Sequence, residues 1–192
     1  MTGVFTVILS GGKSRRMGRD KAELEYNGMS FLEFAVKRYS HLGVTAVSAD
    51  RHGRFDTFGA AELTDLIPGG GPLNGICSAF MYTEEREIFL TAVDLPLAVP
   101  EAAVKIMSLL GEYDACVPEA DGHFVPLFAA YSRRCLTAAL DCLQNGSRSF
   151  RELFNRISVR FVSPDELAPY WKDGMLANIN TPEDYIKNIK SK

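Results

Sequence analysis

Five cations crowd into one short stretch: Lys13, Arg15, Arg16, Arg19 and Lys21. Directly before them stand Gly11 and Gly12, and before those an apolar run, Val4 to Leu9. Such a run reads as a buried strand. Glycines let backbone N–H groups turn inward and approach a ligand closely, forming a nest for an anion. Arginine forks and a lysine ammonium add charge-assisted donors suited to phosphate. The whole chain carries a formal net charge of -3, so this positive charge is local. A glycine pair alone makes an ordinary turn. Glycines, cations and a preceding strand together point to binding of a phosphorylated small molecule. Lys21, at the far end, could bridge two phosphates or neutralise charge as phosphorus–oxygen bonds rearrange. Two familiar phosphate loops do not fit. Gly12 is followed five places on by Met17, which breaks the Walker A spacing, and the first turn lacks the dinucleotide fingerprint.

Three further loops carry candidate chemistry. Asp50-Arg51-His52 follows a second apolar run, and Asp50 could accept bonds from a base or ribose, although an Asp there also makes a plain turn. The stretch from Asp65 through Gly69-Gly70-Gly71-Pro72 to Gly75 leads an adaptable loop into a helix start, a receptor for a base edge or an anion. Asp94-Leu95-Pro96 closes a strong hydrophobic strand candidate, Glu87–Val93. A carboxylate there, beside a triphosphate, suits Mg²⁺, which prefers carboxylate, phosphate and water oxygens.

These loops need a scaffold, and the chain supplies one. Its 192 residues suggest a single domain spanning 1–192, with 46% hydrophobic residues. Strand candidates are Val4–Leu9, Val44–Ala49, Glu87–Val93, Asp114–Val117, Val125–Tyr131 and Ile157–Val162. Helix candidates lie between them. Ser30 and Glu33 have capping-box spacing before a helix that closes near Gly43. Others run from Pro72 to about Thr83, Pro100 to Leu110 and Ser132 to Gln144, and Thr181-Pro182 opens a last short one. Strands alternating with helices predict an α/β sandwich with a mostly parallel central sheet. In such sheets ligands sit beyond the carboxyl ends of the strands, which makes the loop after each strand the place to search.

Several classes are excluded. There is no apolar run of about 20 residues to span a membrane. No signal-peptide pattern opens the chain, and the four scattered cysteines suit a reducing cytoplasm as buried filler. Three histidines without H-E-x-x-H argue against a His-based metal or nucleophile site. The short basic cluster in an acidic chain speaks against nucleic-acid binding.

Leu9-Ser10-Gly11-Gly12 to Arg16-Met17-Gly18, followed by Asp20-Lys21, resembles the signature of nucleotidyltransferases. The likeness is greatest to the molybdenum cofactor guanylyltransferases, the molybdopterin-guanine dinucleotide biosynthesis protein A family. Gly71-Pro72-Leu73-Asn74-Gly75 is similar to their Gly-Pro-Leu-x-Gly loop and Asp94-Leu95-Pro96 to their Asp-x-Pro. Pro126 to Tyr131 and Asn178 to Asp184 match later motifs. The resemblance implies a three-layer Rossmann-like sandwich of the nucleotide-diphospho-sugar transferase type. It implies transfer of GMP from GTP to molybdopterin with release of pyrophosphate, in the cytoplasm and with Mg²⁺ as cofactor. Molybdenum cofactor insertion proteins are expected partners; a membrane and nucleic acid are not. The nucleotide-binding residues it implies are Leu9, Ser10, Gly11, Gly12, Lys21, Asp65, Gly71 and Asp94, with Asp94 as the metal ligand. Lys21, Arg16 and Asp94 carry catalysis, and Arg16 and Asn180 are candidates for holding the acceptor. Where the family often has two Asn residues near the end of the second strand, this chain has Ser48 and Asp50. Two other readings stay open. One is a cytidylyltransferase, or another nucleotidyltransferase, acting on molybdopterin or a sugar or polyol phosphate. The other is a regulatory protein that binds nucleotide without catalysis.

Overall fold

The computed structural model describes residues 3–10, 20–120 and 122–190. In chain order the elements are β1 (Thr6–Leu9), β2 (Glu25–Tyr26), β3 (Met29–Ser30), α1 (Phe31–Tyr39), β4 (Thr45–Ala49) and β5 (Ala61–Thr64). Then come α2 (Pro72–Tyr82), β6 (Glu87–Ala92), α3 (Pro100–Leu110), β7 (Ala115–Ala120), β8 (His123–Phe124) and β9 (Phe128–Ser132). The chain closes with α4 (Leu136–Gln144), α5 (Phe150–Phe154), β10 (Val159–Val162) and α6 (Pro182–Tyr185). The main sheet runs β10-β7-β9-β6-β1-β4-β5, with β8 paired to β7; β2 and β3 form a separate hairpin. β6, β1, β4 and β5 are mutually parallel, as are β7 and β10; β9 runs against both its neighbours β6 and β7, and β8 runs against β7.

The apolar runs follow from burial on both faces. Ile8 of β1 and Phe89 of β6 point into one core with Phe31, Leu32 and Ile106 from α1 and α3. Their neighbours Val7, Leu9, Ile88 and Leu90 point into a second core with Leu73, Ile76 and Phe80 of α2 and Ala139 of α4. Period-two alternation thus feeds two cores and makes three layers. Each fully buried side chain of this size contributes about 1.5–3 kcal/mol of transfer free energy. The cysteines are buried and free, and burial pushes the Cys77 thiol up to about 12, so they act as filler. Among the described residues no helix is long and apolar enough to cross a membrane.

Local signals were obeyed with small shifts. Ser30 Oγ accepts the Glu33 N–H at 3.0 Å and caps α1. Pro100–Leu110 forms as expected and ends at Gly111, whose φ is 50°. The run expected as a strand from Val125 begins only at Phe128, because Phe128 N–H turns back to the Val125 carbonyl. Residues 133–135 form a tight turn before α4 begins. β5 was not expected: Ala61-Glu62-Leu63-Thr64 buries only Leu63, too little for a period-two signal, and it holds the sheet edge through pairing with β4. The carboxyl ends of β10, β7, β6, β1, β4 and β5 share one rim, as their parallel and antiparallel pairings require.

Candidate functional site

The rim brings together residues that lie far apart in the chain. Asp20 caps a short turn, Lys21–Glu23, by accepting the Ala22 N–H at 3.2 Å. That turn directs Lys21 over the end of β6. Its Nζ lies 2.9 Å from Asp94 Oδ2, with the two side chains only 20% and 15% exposed. It also donates to Asn180 Oδ1. Three sequence candidates, Lys21, Asp94 and Asn180, therefore converge on one point.

The backbone explains why. Val93 N–H bonds the Leu9 carbonyl at 3.1 Å, so the Asp94 turn continues the β1–β6 pairing. Ile179 N–H donates to the Asp94 carbonyl at 2.9 Å, which docks the C-terminal segment on that turn. Asp184 then accepts the N–H groups of Asn180 at 3.0 Å and Thr181 at 2.9 Å, and Thr181 Oγ1 accepts the Asp184 N–H. The bond from the Asn180 N–H, helped by Thr181, holds the Asp184 carboxyl below its usual range against the opposing effect of burial. This capping box fixes Asn180 where it meets Lys21.

Asp94 Oδ1 is buried and has no hydrogen-bond partner among the described residues. A buried carboxylate oxygen is rarely left so. Among the described residues no group of three or more His, Cys, Asp or Glu could hold a metal by itself. One orphaned carboxylate oxygen, with the other ligands left to phosphate and water, is the donor set Mg²⁺ takes in nucleotide sites. The residues present fit the ion.

The second half of the rim lies over β4 and β5. Asp65 follows β5, and its N–H bonds the Ala49 carbonyl at 2.9 Å. Burial raises its carboxyl above the usual range, outweighing the hydrogen bonds from Asn74 and Ser48. Asn74 and Ser78, both fully buried on α2, anchor the glycine loop. Asn74 exchanges two bonds with the backbone of Ile67, at 3.2 and 2.9 Å, and Ser78 Oγ accepts the Leu66 N–H. Gly70 N–H turns back to the Ile67 carbonyl, and Gly71 has φ 69°. Gly75 lets α2 sit against Leu9: a Cβ there would collide with Leu9 Cδ2.

Leu9 is buried at the end of β1. Ser10 spends both its donors, N–H at 3.1 Å and Oγ at 2.8 Å, on the Ser48 carbonyl, so it ties β1 to β4. Gly11, Gly12 and Arg16 lie outside the described residues. Asp50 is engaged: Arg54 bonds Asp50 Oδ1 at 2.7 Å and Asp20 Oδ2 at 2.6 Å. Arg54 thereby links the second loop to the start of the Lys21 turn.

Asn74, Ser78, Arg54 and Arg148 also shape the site, although no motif assigns them a role. Asn74 and Ser78 had a signal, since two polar residues four apart on an apolar helix share one face. Asp50 and Arg54 had the same spacing. Arg148 had none; its side chain lies along the glycine loop, its Cβ 3.6 Å from where a Cβ on Gly71 would be.

The chain is similar in sequence and fold to known proteins. The family described as MobA-like NTP transferase domain matches residues 6–160. A protein of Pelotomaculum thermopropionicum named "probable molybdenum cofactor guanylyltransferase" is 32% identical over 185 residues, covering 94% of this chain and 89% of its own length. The crystal structure of molybdopterin-guanine dinucleotide biosynthesis protein A from Archaeoglobus fulgidus superposes with a TM-score of 0.86 at 24% identity, covering 98% of both chains. A Mycobacterium tuberculosis protein solved with manganese superposes with a TM-score of 0.68 at 15% identity, covering 100% of both chains.

Proposed function

The chain belongs to the MobA-like NTP transferase family, and from this premise we propose that it transfers GMP from GTP to the terminal phosphate of molybdopterin, releasing pyrophosphate. It is a nucleotidyltransferase; the Lys21–Asp94 pair with its orphaned carboxylate oxygen is the observation that carries the reading. A phosphate oxygen of the acceptor attacks the α-phosphorus of GTP, and the bond from that phosphorus to the bridging oxygen breaks. The nucleophile is an anion near neutral pH, so no strong base is needed. The barrier lies in the repulsion between two anions and in the charge growing on the leaving group. Fixed cations and positioning answer both.

Lys21 steadies the transferring phosphoryl group, held at its place by Asp94 and Asn180. Asp94 would hold Mg²⁺, which when bound neutralises the triphosphate. Gly11, Gly12 and Arg16 are proposed to receive the pyrophosphate and the incoming phosphate, and Asn180 to help place the acceptor. Asp65 and the carbonyls of the pinned loop that follows face the nucleoside, and acceptors there suit the N1–H and 2-amino donors of guanine. Molybdenum cofactor insertion proteins as partners and a cytoplasmic location complete the reading.

The test is a nucleotide screen by pyrophosphate release with molybdopterin as acceptor, with and without Mg²⁺. GTP with Mg²⁺ should give turnover. Preference for CTP, or turnover only with a sugar or polyol phosphate, would replace the proposal. Nucleotide binding without any pyrophosphate release would point to a regulatory protein.

A further inference from the structure

Pro96, two residues beyond Asp94, is buried, and its carbonyl oxygen needs a donor. Pro100, four residues on, opens α3 and has no N–H to give. The donor comes from another element. Arg38, near the end of α1, reaches the Pro96 carbonyl with Nη1 at 2.8 Å. Among the described residues no other group bonds that oxygen. The guanidinium is held for this contact. Its carbon lies 5.1 Å from the ring centre of Phe34, one turn back on α1. Phe34 in turn meets Tyr26 of the β2–β3 hairpin edge-on, with ring centres 4.7 Å apart.

The other end of the same helix is tied to Lys21. Phe31, the first residue of α1, donates its N–H to the Leu24 carbonyl at 2.7 Å, and Leu24 N–H bonds the Lys21 carbonyl at 3.2 Å. Phe31 and Ala22 are buried in one core. One short helix therefore grips both turns that carry the pair. From Phe31 to Arg38 it spans about 10 Å, at about 1.5 Å per residue, and its internal hydrogen bonds fix that length. The bonds close a ring. They run from Lys21 through Leu24 and Phe31 along α1 to Arg38, across to Pro96, and from Asp94 back to Lys21 at 2.9 Å. We propose that α1 is the strut that sets the approach of Lys21 to Asp94, and that Arg38 is a positioning residue for the Asp94 carboxylate and the divalent cation it would hold. The inference rests on reading Lys21 and Asp94 as the reaction centre. Other polar links between α1 and this region are weaker. His41 and Glu101 lie 3.7 Å apart and are more than half exposed, and the Tyr39 and Thr91 hydroxyls are 3.5 Å apart. A reacting group displaced by about 1 Å loses rate out of proportion to the shift, so one remote bond registers in turnover.

Arg38→Met keeps an aliphatic stem over Phe34 and removes the donors; Arg38→Lys keeps one donor group. Mn²⁺ stands in for Mg²⁺, since both take carboxylate and phosphate oxygens. Binding of the Mn²⁺–GTP complex to the full chain is read from water-proton relaxation, and binding of GTP alone from equilibrium dialysis. Arg38→Met should bind Mn²⁺–GTP about tenfold more weakly and GTP alone as well as before, and kcat for GMP transfer should fall about tenfold. Arg38→Lys should restore most of both losses. In an Asp94→Asn background, Arg38→Met should add no further loss of Mn²⁺–GTP affinity, because Arg38 acts through Asp94. Thermal unfolding is measured on every variant. Unchanged Mn²⁺–GTP affinity in Arg38→Met, an equal loss with and without the metal, or the same loss in the Asp94→Asn background overturns the proposal. A lowered melting temperature with unchanged Mn²⁺–GTP affinity leaves Arg38 a structural residue and overturns it as well. If the unaltered chain binds Mn²⁺–GTP and transfers no GMP, the function falls and the strut is judged on binding alone.

Discussion

Ile179 donates its main-chain N–H to the carbonyl of Asp94 at 2.9 Å, joining residues far apart in the chain at the centre of the site. The C-terminal segment is thus docked on the turn that carries Asp94 in the proposed site. Asp184→Ala removes the capping box that holds this segment and should cost about 1 kcal/mol of stability. It should also lower kcat, because Asn180 loses its fixed approach to Lys21. Thermal unfolding and steady-state kinetics measured together check this. A stability loss with unchanged kcat would leave Asp184 a structural residue only.

Gly75→Ala places a methyl group against the Leu9 side chain. Overpacking of this kind should destabilise by about 1–2 kcal/mol. Leu9→Ala in the same chain should relieve part of it. A denaturant double-mutant cycle reads the coupling, and additive effects would show that the close approach is not confining.

Arg54→Met leaves Asp20 and Asp50 without their shared cation. Loss of charged hydrogen bonds should cost about 1.5–3 kcal/mol. The KM for GTP should rise as well, since the Lys21 turn starts at Asp20. An unchanged KM would uncouple the two loops.

Asp65 gives a pH signature. Burial raises its carboxyl above 3.8. If the ionised form accepts bonds from the nucleoside, the KM for GTP should climb as pH falls through that raised value, and Asp65→Asn should flatten the climb. Stability moves the other way. A carboxyl raised on folding favours the folded state below its unfolded pKa, and that contribution is lost as pH rises through the folded one. An acid limb that survives in Asp65→Asn assigns the titration elsewhere.

Much of this was legible in the residues. Ile8 and Phe89 announced buried strands because the immediate neighbour on each side is apolar too, and Pro100 and Gly111 bracketed a helix that forms as expected. Asp94 and Lys21 were visible as chemistry because each follows a strand on the same rim. Their contact was not, since it depends on a turn capped by Asp20 and on a segment docked from the C-terminus. β5 was hidden because one buried leucine leaves no period. Ser10 bonds the Ser48 carbonyl, a pairing only the β1–β4 register reveals.

The central claim is that Lys21 and Asp94 form one reaction centre for GMP transfer. Transfer of radiolabelled GMP from α-labelled GTP to molybdopterin, compared between the unaltered chain and Asp94→Asn, tests it most directly. The account predicts labelled dinucleotide from the unaltered chain and a loss of about 10²–10³-fold in Asp94→Asn at unchanged thermal stability, as for removal of a group that stabilises transition-state charge. Comparable labelled product from both proteins would contradict it.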